Sequence, residues 1–197
     1  MKISIILAHP RAGSFNHAIA AKARSVLEES GHAVTLHDLY AEGFDPVLPD
    51  AEIPALSEVA PEVEAHCREI AAADGIVIVH PNWWGQPPAI LKGWVDRVLR
   101  AGVAYRFLEG DSGEGVPEGL LKAENAIVFN TTNTEKEREL EVFGDPLETL
   151  WKNCILRYCG VSRVERRCYG VVVTSTPEER AAWLEDAASL VREVFPS

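Results

Sequence analysis

The sequence predicts an α/β fold in which a doubly wound parallel sheet is covered by helices on both faces. Five short apolar segments are typical of strands, five longer amphipathic segments are typical of helices, and the two kinds alternate strictly along the chain. Such alternation favours crossover connections between parallel strands. The 197 residues suit one domain covering 1–197, since we find no internal repeat, linker or low-complexity segment.

The strands are predicted from their apolar runs. The first, "KISIILA" (2–8), is unbroken, as expected for a central strand that is covered on both faces. It is followed by "AVTLHDL" (33–39), "GIVIVH" (75–80), "NAIVFNTT" (125–132) and "VERRCYGVVV" (164–173).

The helices are predicted from capping residues and from apolar positions three and four residues apart. Ser14 is the expected N-cap of the first helix and Gly31 its end, and Thr176 followed by Pro177 begins the last helix. Trp94 belongs to an apolar row of the third helix, which indicates a core position. The helices are expected over 14–31, within 57–74 from Pro61 onward, and over 88–100, 146–160 and 176–195, with long loops over 41–56 and 102–120.

Charge argues against a nucleic-acid partner. The net charge is −11, and the arginine cluster in "RVERR" (163–167) is too small to form the basic face that duplex binding needs. No apolar run approaches the ~20 residues of a membrane-spanning helix. The N-terminus, "MKISIILAHP", resembles a signal peptide only weakly, and a buried first strand is the better interpretation. We therefore expect no integral membrane segment.

The cysteines indicate a reducing compartment. They form no CxxC pair, and no histidine lies at zinc-finger spacing from them. We expect a cytoplasmic protein with reduced thiols and no bound metal. The four are Cys67, Cys154, Cys159 and Cys168.

In a doubly wound sheet, ligands bind beyond the carboxyl ends of the strands. The loop after the first strand, 8–16, carries His9 and Arg11 and ends at a helix N-terminus, where free N–H groups attract an anion. A phosphate cradle and an ordinary capped turn both explain this loop. The loop after the fourth strand, 130–145, could bind the polar edge of a ligand or simply cap the strand; its candidates are Thr131, Thr132 and Asn133.

The loop after the third strand, 80–88, is the most unusual. Neighbouring side chains in extended or turn backbone point to different sides, so Trp83 and Trp84 cannot both pack inward. Gly85 would allow a close approach by backbone or ligand. The loop predicts a wall for a flat aromatic ligand, with a lid over the core as the alternative.

With these motifs in view, the chain resembles the flavodoxin-like NAD(P)H quinone oxidoreductases, a group that includes DT-diaphorase, modulator-of-drug-activity proteins and the ancillary oxidoreductases of potassium efflux systems. The likeness covers about four-fifths of the chain, and its most specific part is 80–107. It is carried by "AHPRAGSFN", "HDLYAEGFDPVL", "HPNWWGQPPAILKGWVDRVLRAGVAYRF", "TT" and "ILRYCG".

The resemblance implies a five-stranded sheet in the order 2-1-3-4-5 and a non-covalent flavin, FMN or FAD, with FMN favoured by the short chain. It implies a homodimer with active sites at the interface. Tyr105 and Phe107 match aromatic positions of the substrate pocket, together with Trp84. The residues that match the family's flavin loops are His9, Ser14, Phe15, Asn16, Pro81, Asn82, Trp83, Trp84, Gly85, Thr131, Thr132 and Asn133.

The resemblance also implies ping-pong hydride transfer, from NAD(P)H to the flavin and then to a small acceptor such as a quinone. The chain departs from DT-diaphorase at "TTNT", where that enzyme has Thr-Thr-Gly-Gly, and "EKERELEVFGD" offers no Tyr or His for a charge relay. No catalytic side chain is therefore assigned. Two alternatives are a flavodoxin-like electron carrier and a flavin-binding regulatory subunit of a membrane transporter.

Overall fold

The computed structural model describes residues 1–54, 57–108, 110, 115 and 117–197. A sheet of five parallel strands forms its centre, in the order β2-β1-β3-β6-β7. Without the two short strands β4 and β5, which pair apart from it, this is the expected order 2-1-3-4-5. The strands are β1 (Lys2–Leu7), β2 (Ala33–Asp38), β3 (Gly75–Pro81), β4 (Tyr105–Arg106), β5 (Glu118–Gly119), β6 (Asn125–Thr131) and β7 (Arg163–Tyr169).

Helices cover both faces of the sheet, which confirms the predicted layers. α1 and α6 pack on one face, and α2, α3 and α5 contribute to the core on the other. The helices are α1 (Phe15–Glu29), α2 (Pro61–Ala72), α3 (Ala89–Val98), α4 (Lys136–Phe143), α5 (Pro146–Thr149) and α6 (Pro177–Val194). None of the helices in the described ranges is long and apolar enough to cross a bilayer.

The predicted caps are present at both long outer helices. Ser14 accepts a hydrogen bond from the His17 N–H at the start of α1. Thr176 and Glu179 form a reciprocal capping box at the start of α6. Trp94 is 1% exposed, as its place in the apolar row of α3 predicted.

Four expectations need correction. The segment expected as one helix over 146–160 is α5 followed by a π-helical turn, Leu150–Leu156. The last strand ends at Tyr169, because the chain leaves the sheet after Gly170 and residues Val172–Thr174 form a 3₁₀ turn. The loop expected over 102–120 contains the hairpin of β4 and β5, although residues 109, 111–114 and 116 lie outside the described part of the chain.

The fourth correction is α4, which lies inside the loop expected over 130–145. Its sequence, "KERELEVF", consists mainly of strong helix formers, and Gly144 ends it with φ +68°. The buried residue within this helix is Glu139, a charged one. A search for apolar periodicity therefore could not find it.

The long loop after β2 is fastened to α3 by two arginines. Buried Arg97 forms an ion pair with Glu52 (Nη2 to Oε1, 2.6 Å) and donates to the Asp45 carbonyl. Arg100 donates to the Glu52 carbonyl and to the Ser57 hydroxyl. These contacts hold the loop in place despite its lack of regular structure.

Candidate functional site

A cleft of about 1090 Å³ lies at the carboxyl ends of β1, β3 and β6. These three strands are neighbours, so the loops that follow them meet at one edge of the sheet. All twelve predicted flavin-loop residues line this cleft, from His9 to Asn133. Their role in holding a cofactor stays a prediction. The cleft is also lined by Arg11, Gly13, Thr134, Glu139, Val142, Phe143, Pro146, Val172, Val173 and Arg180.

At the β1 side of the cleft stands the N-terminus of α1. Ser14 and His17 are joined by a hydrogen bond (Oγ to Nδ1, 2.8 Å), and the His17 Nε2 lies 3.0 Å from an Asp38 carboxylate oxygen. This chain of contacts fixes Ser14 at the helix end. Because a helix N-terminus carries partial positive charge and free N–H groups, this end of the cleft suits an anion.

His9 lies beside this helix end. Its Nδ1 accepts the Arg11 backbone N–H at 3.1 Å, and partial burial lowers the pKa of His9 below its usual value. The neutral ring therefore carries its proton on Nε2. Its centroid is 6.3 Å from that of Trp83, so the start of α1 and the tryptophan loop are adjacent.

Asn16 connects α1 to β6 across the floor of the cleft. It is 2% exposed, and its Nδ2 donates to the Thr131 hydroxyl at 2.9 Å. None of the described residues donates to its buried Oδ1. An unpaired buried acceptor costs about 1–3 kcal/mol, so this oxygen is suited to a donor group from a ligand.

The two tryptophans are held by a two-residue turn. The backbones of Trp83 and Gln86 exchange two hydrogen bonds of 3.0 Å, with Trp84 and Gly85 between them at φ +58° and +70°. This is a type I′ turn, which favours Gly or Asn at both central positions. A tryptophan there costs about 1–3 kcal/mol of backbone strain.

Neither ring serves as a lid over the core, so that alternative is wrong. Trp84 is 101% exposed and Trp83 is 42% exposed, and both line the cleft. Gly85 fits because a Cβ there would lie 2.7 Å from Pro146 Cγ. The turn thus projects aromatic surface at the cleft while its glycine packs against α5.

The remaining polar groups of the loops hold the loops themselves. Asn82 accepts the Gly85 N–H at 3.0 Å and donates to Glu139 Oε1 at 2.9 Å. The Thr132 hydroxyl accepts the Thr134 N–H, and Asn133 Oδ1 accepts the Val173 N–H. Both side chains therefore hold loop backbone, and both also line the cleft.

A buried network supports the loops from below. His80 is fully buried, which lowers its pKa to about 3. Its Nε2 accepts from Asn130 Nδ2 and from Trp151 Nε1, each at 2.8 Å, and its Nδ1 donates to the Pro81 carbonyl. Asn130 Oδ1 in turn accepts from Arg166. The last residues of β3 and β6 are thereby joined immediately before the cleft.

Tyr105 and Phe107, predicted for the substrate pocket, lie elsewhere in the single chain. They line a second cleft of about 490 Å³, together with Tyr158, whose ring centroid is 5.1 Å from that of Tyr105. Neither lines the first cleft within the described residues. Their predicted role depends on a second protomer.

Sequence reasoning missed two groups of cleft residues. Glu139, Val142 and Phe143 come from α4, which apolar periodicity could not reveal. Val173 and Arg180 follow β7, whose loop is not among the three predicted ligand loops. The rule that ligands bind beyond the strand ends would have included that loop.

Comparison with known proteins gives the family. Residues 1–191 match a family model described as a flavodoxin-like fold. An uncharacterized NAD(P)H oxidoreductase from Haemophilus influenzae is 37% identical over 189 residues, covering 93% of this chain and 91% of that protein. The NAD(P)H dehydrogenase (quinone) 1 of Rattus norvegicus is 30% identical over 204 residues, covering 92% of this chain and 73% of that protein.

A solved structure agrees with these relatives. The NAD(P)H:quinone oxidoreductase from Methanothermobacter marburgensis superposes with a TM-score of 0.83 at 28% identity, covering 100% of this chain and 98% of that one. The chain therefore belongs to the flavodoxin-like NAD(P)H quinone oxidoreductase family, and the expected class of enzyme is confirmed.

Proposed function

We propose that this protein uses a non-covalently bound flavin to transfer hydride from NAD(P)H to a quinone or a related small acceptor. One observation supports this proposal above the others. The cleft brings together a helix end suited to an anion, an unpaired buried amide oxygen and an exposed aromatic turn. A planar ring with a phosphate-bearing chain would use each of these features. The names of the rat and Methanothermobacter relatives support the choice of acceptor.

The cleft residues fit a flavin part by part. The N-terminus of α1, with Ser14 and Arg11, would hold the phosphate. Asn16 Oδ1 would accept a hydrogen bond from a hydroxyl of the ribityl chain, which would give this buried oxygen the hydrogen-bond donor that it lacks. The Trp83–Trp84 turn would stand beside the ring system, with backbone N–H groups of the β3 and β6 loops near its polar edge. We propose FMN, with FAD as the alternative.

A bound flavin would supply the hydride chemistry, accepting from NAD(P)H and passing on to the acceptor in two half-reactions. The chain would bind and orient both partners in turn at the open side of one cleft. The exposed Trp84 ring offers a flat surface there against which either planar molecule could stack.

We further propose a cytoplasmic homodimer. The cleft of Tyr105, Phe107 and Tyr158 presents exposed aromatic surface, with Phe107 43% exposed. A second protomer seated there would bury this surface and bring Tyr105 and Phe107 towards an active site. Sedimentation of the wild type and of Phe107→Ser would test this, since only the wild type is expected to be a dimer.

The decisive experiment is to denature the purified protein and identify the released flavin by mass spectrometry. Protein that has been reloaded with this flavin is then titrated, in the absence of oxygen, with NADH or with NADPH. A quinone is added afterwards. We expect bleaching of the flavin absorbance by a nicotinamide and its recovery with the quinone. A protein that neither retains nor takes up flavin would refute the proposal, and flavin that resists both nicotinamides would instead indicate an electron carrier.

A further inference from the structure

The one acidic side chain among the described residues that line the cleft has no role in the proposed function. Glu139, on α4, is 7% exposed. It is the only carboxylate among the described residues that line the cleft. The lining residues otherwise include His9, Arg11 and Arg180 as ionisable groups, and an arginine does not release its proton in a protein.

Glu139 is held firmly at one oxygen and left open at the other. Oε1 accepts from Asn82 Nδ2 at 2.9 Å, and Asn82 is itself fixed by the Gly85 N–H and by its own N–H bond to the Thr131 carbonyl. No described residue donates a hydrogen bond to Oε2, and no described Lys, Arg or His lies within ion-pair distance of Glu139.

A buried carboxylate without a cation is costly to retain. Its position therefore points to a ligand rather than to stability of the fold. The nearby charges do not change this conclusion. Arg166 pairs through Nη1 with Asp145 and Glu148 and donates through Nε to Asn130, while its Nη2 has no partner among the described residues and forms no ion pair with Glu139. Cys168 on β7 is within electrostatic reach of Glu139, but it is a thiol whose pKa desolvation raises to about 11.

His9 is the other group in the cleft that could exchange a proton. Its Nδ1 is occupied by the Arg11 N–H, and it lies at the end of the cleft where the phosphate is proposed to bind. Glu139 lies instead against the loops after β3 and β6, where the ring and the acceptor are proposed to meet. Of the two, Glu139 has the position for chemistry at the acceptor.

We propose that Glu139 Oε2 exchanges the proton that accompanies hydride transfer to the acceptor. This inference rests on the proposed function. Reduction of a quinone to a hydroquinone adds one hydride, derived from NAD(P)H, and one proton. The carboxylate Oε2 takes a proton from water that enters the open cleft, and the hydroxide leaves to the solvent. The new O–H bond at Oε2 then breaks as an O–H bond forms on the quinone oxygen.

The substitution Glu139→Gln separates chemistry from structure. A glutamine keeps an oxygen that can accept from Asn82 but cannot exchange a proton. Glu141→Gln is the matched control, since it removes the same charge from an exposed position of the same helix. Two quantities are compared in the flavin-loaded proteins: the flavin affinity, and the rates of the two half-reactions against pH.

We expect Glu139→Gln to bind flavin and to accept hydride from NAD(P)H within about 2-fold of the wild type, whereas the reoxidation by quinone falls by roughly 10²-fold and loses its dependence on pH. If Glu139→Gln matches Glu141→Gln in its rate of reoxidation by quinone, the inference is wrong. If the wild type itself fails to bind flavin or to be reduced, the proposed function fails instead.

Discussion

Two tryptophans that are ten residues apart in the sequence differ in their contribution to the stability of the fold. Trp84 is fully exposed on a backbone with φ +58°, a conformation that is costly for any residue except Gly and Asn. Trp94 is buried, and its Nε1 donates to His66 Nδ1 at 3.1 Å. The first ring therefore adds nothing to stability, whereas the second is part of the core.

Substitutions should separate the two rings. Trp84→Gly relieves the strained backbone, so we expect the free energy of unfolding to stay the same or to rise by up to about 1 kcal/mol, while flavin retention or hydride transfer falls. Trp94→Ala should lower the free energy of unfolding by about 3–5 kcal/mol. Urea unfolding and the flavin content of the purified variants are the measurements. The reverse pattern would mean that the two rings have been assigned to the wrong roles.

The hydrogen bond from Trp94 also determines which nitrogen of the neutral His66 ring carries the proton. His37, Glu42 and His66 place ligand-type atoms within 4.8 Å of one another, a geometry that could hold a metal ion. Because His66 Nδ1 accepts from Trp94, the neutral ring carries its proton on Nε2, the atom that faces Glu42. A protonated nitrogen cannot bind a metal. We expect no change in melting temperature when Zn²⁺ is added to the wild type.

At the scale of elements, the contact between α3 and the loop after β2 is unusually close. A Cβ on Gly93 would lie 2.2 Å from the Pro46 carbonyl oxygen and 2.4 Å from Pro46 Cβ. The same contact is supported by Arg97, one helical turn further on, which binds the loop at Asp45 and Glu52. Gly93 has a poor helix propensity, but the close packing of the loop against α3 leaves no room for a Cβ at this position.

We expect Gly93→Ala to lower the free energy of unfolding by roughly 1–3 kcal/mol, because the loop must move away from the helix. In an exposed helix the same change would stabilise by up to about 1 kcal/mol. Lys92→Ala, on the exposed side of α3, is the control and should change stability by less than about 0.5 kcal/mol. Chemical unfolding checks both variants, and a stabilised Gly93→Ala would contradict the close approach.

The elements that could be predicted are those whose residues signal locally. Apolar runs such as 2–8 and caps such as Thr176 depend on neighbours in the sequence, and they identified the central strands and the long helices. α4 gives no such signal, since its buried residue is a glutamate that bonds to Asn82, 57 residues away in sequence.

The same limit applies to the candidate site. Its three main loops could be located because the carboxyl ends of neighbouring parallel strands must meet. Glu139 could not be assigned, because its place in the cleft depends on a helix and a partner that only the folded chain brings together. The positions of Tyr105 and Phe107 in a second cleft likewise depend on the packing of the β4–β5 hairpin.

The molecule as a whole should be sensitive to mild acid. Burial lowers the pKa of His66 to about 4 and that of His80 to about 3, below the ordinary value of 6.5. As pH falls below 6.5, the unfolded chain takes up protons at these positions and the folded chain does not. Stability is therefore lost progressively between pH 6.5 and the folded pKa values.

His37 acts in the opposite direction. Burial disfavours its charged form, but the hydrogen bonds that the ring donates to Glu69 and Glu42 outweigh this and raise the pKa of His37. Its contribution is fully present below pH 6.5 and is lost as pH rises through its folded pKa, so it does not offset further losses in acid.

We expect the free energy of unfolding to fall by a few kcal/mol between pH 7 and pH 5, at about 1.4 kcal/mol per pH unit for each histidine that is buried neutral. Urea unfolding at several pH values measures the slope. Carboxylates with lowered pKa, such as Glu52, begin to lose their contribution only near and below their ordinary value of 4.5. A flat profile between pH 7 and pH 5 would mean that His66 and His80 are charged in the folded protein.

The turn at Trp84 has one further consequence, for spectroscopy. Its indole lies in solvent at the edge of the cleft, whereas those of Trp94 and Trp151 are almost fully buried. The emission of the exposed ring should be red-shifted from that of the core rings and open to collisional quenchers. A planar ligand that enters the cleft would shield or quench this ring first, so the protein carries its own optical reporter of occupancy.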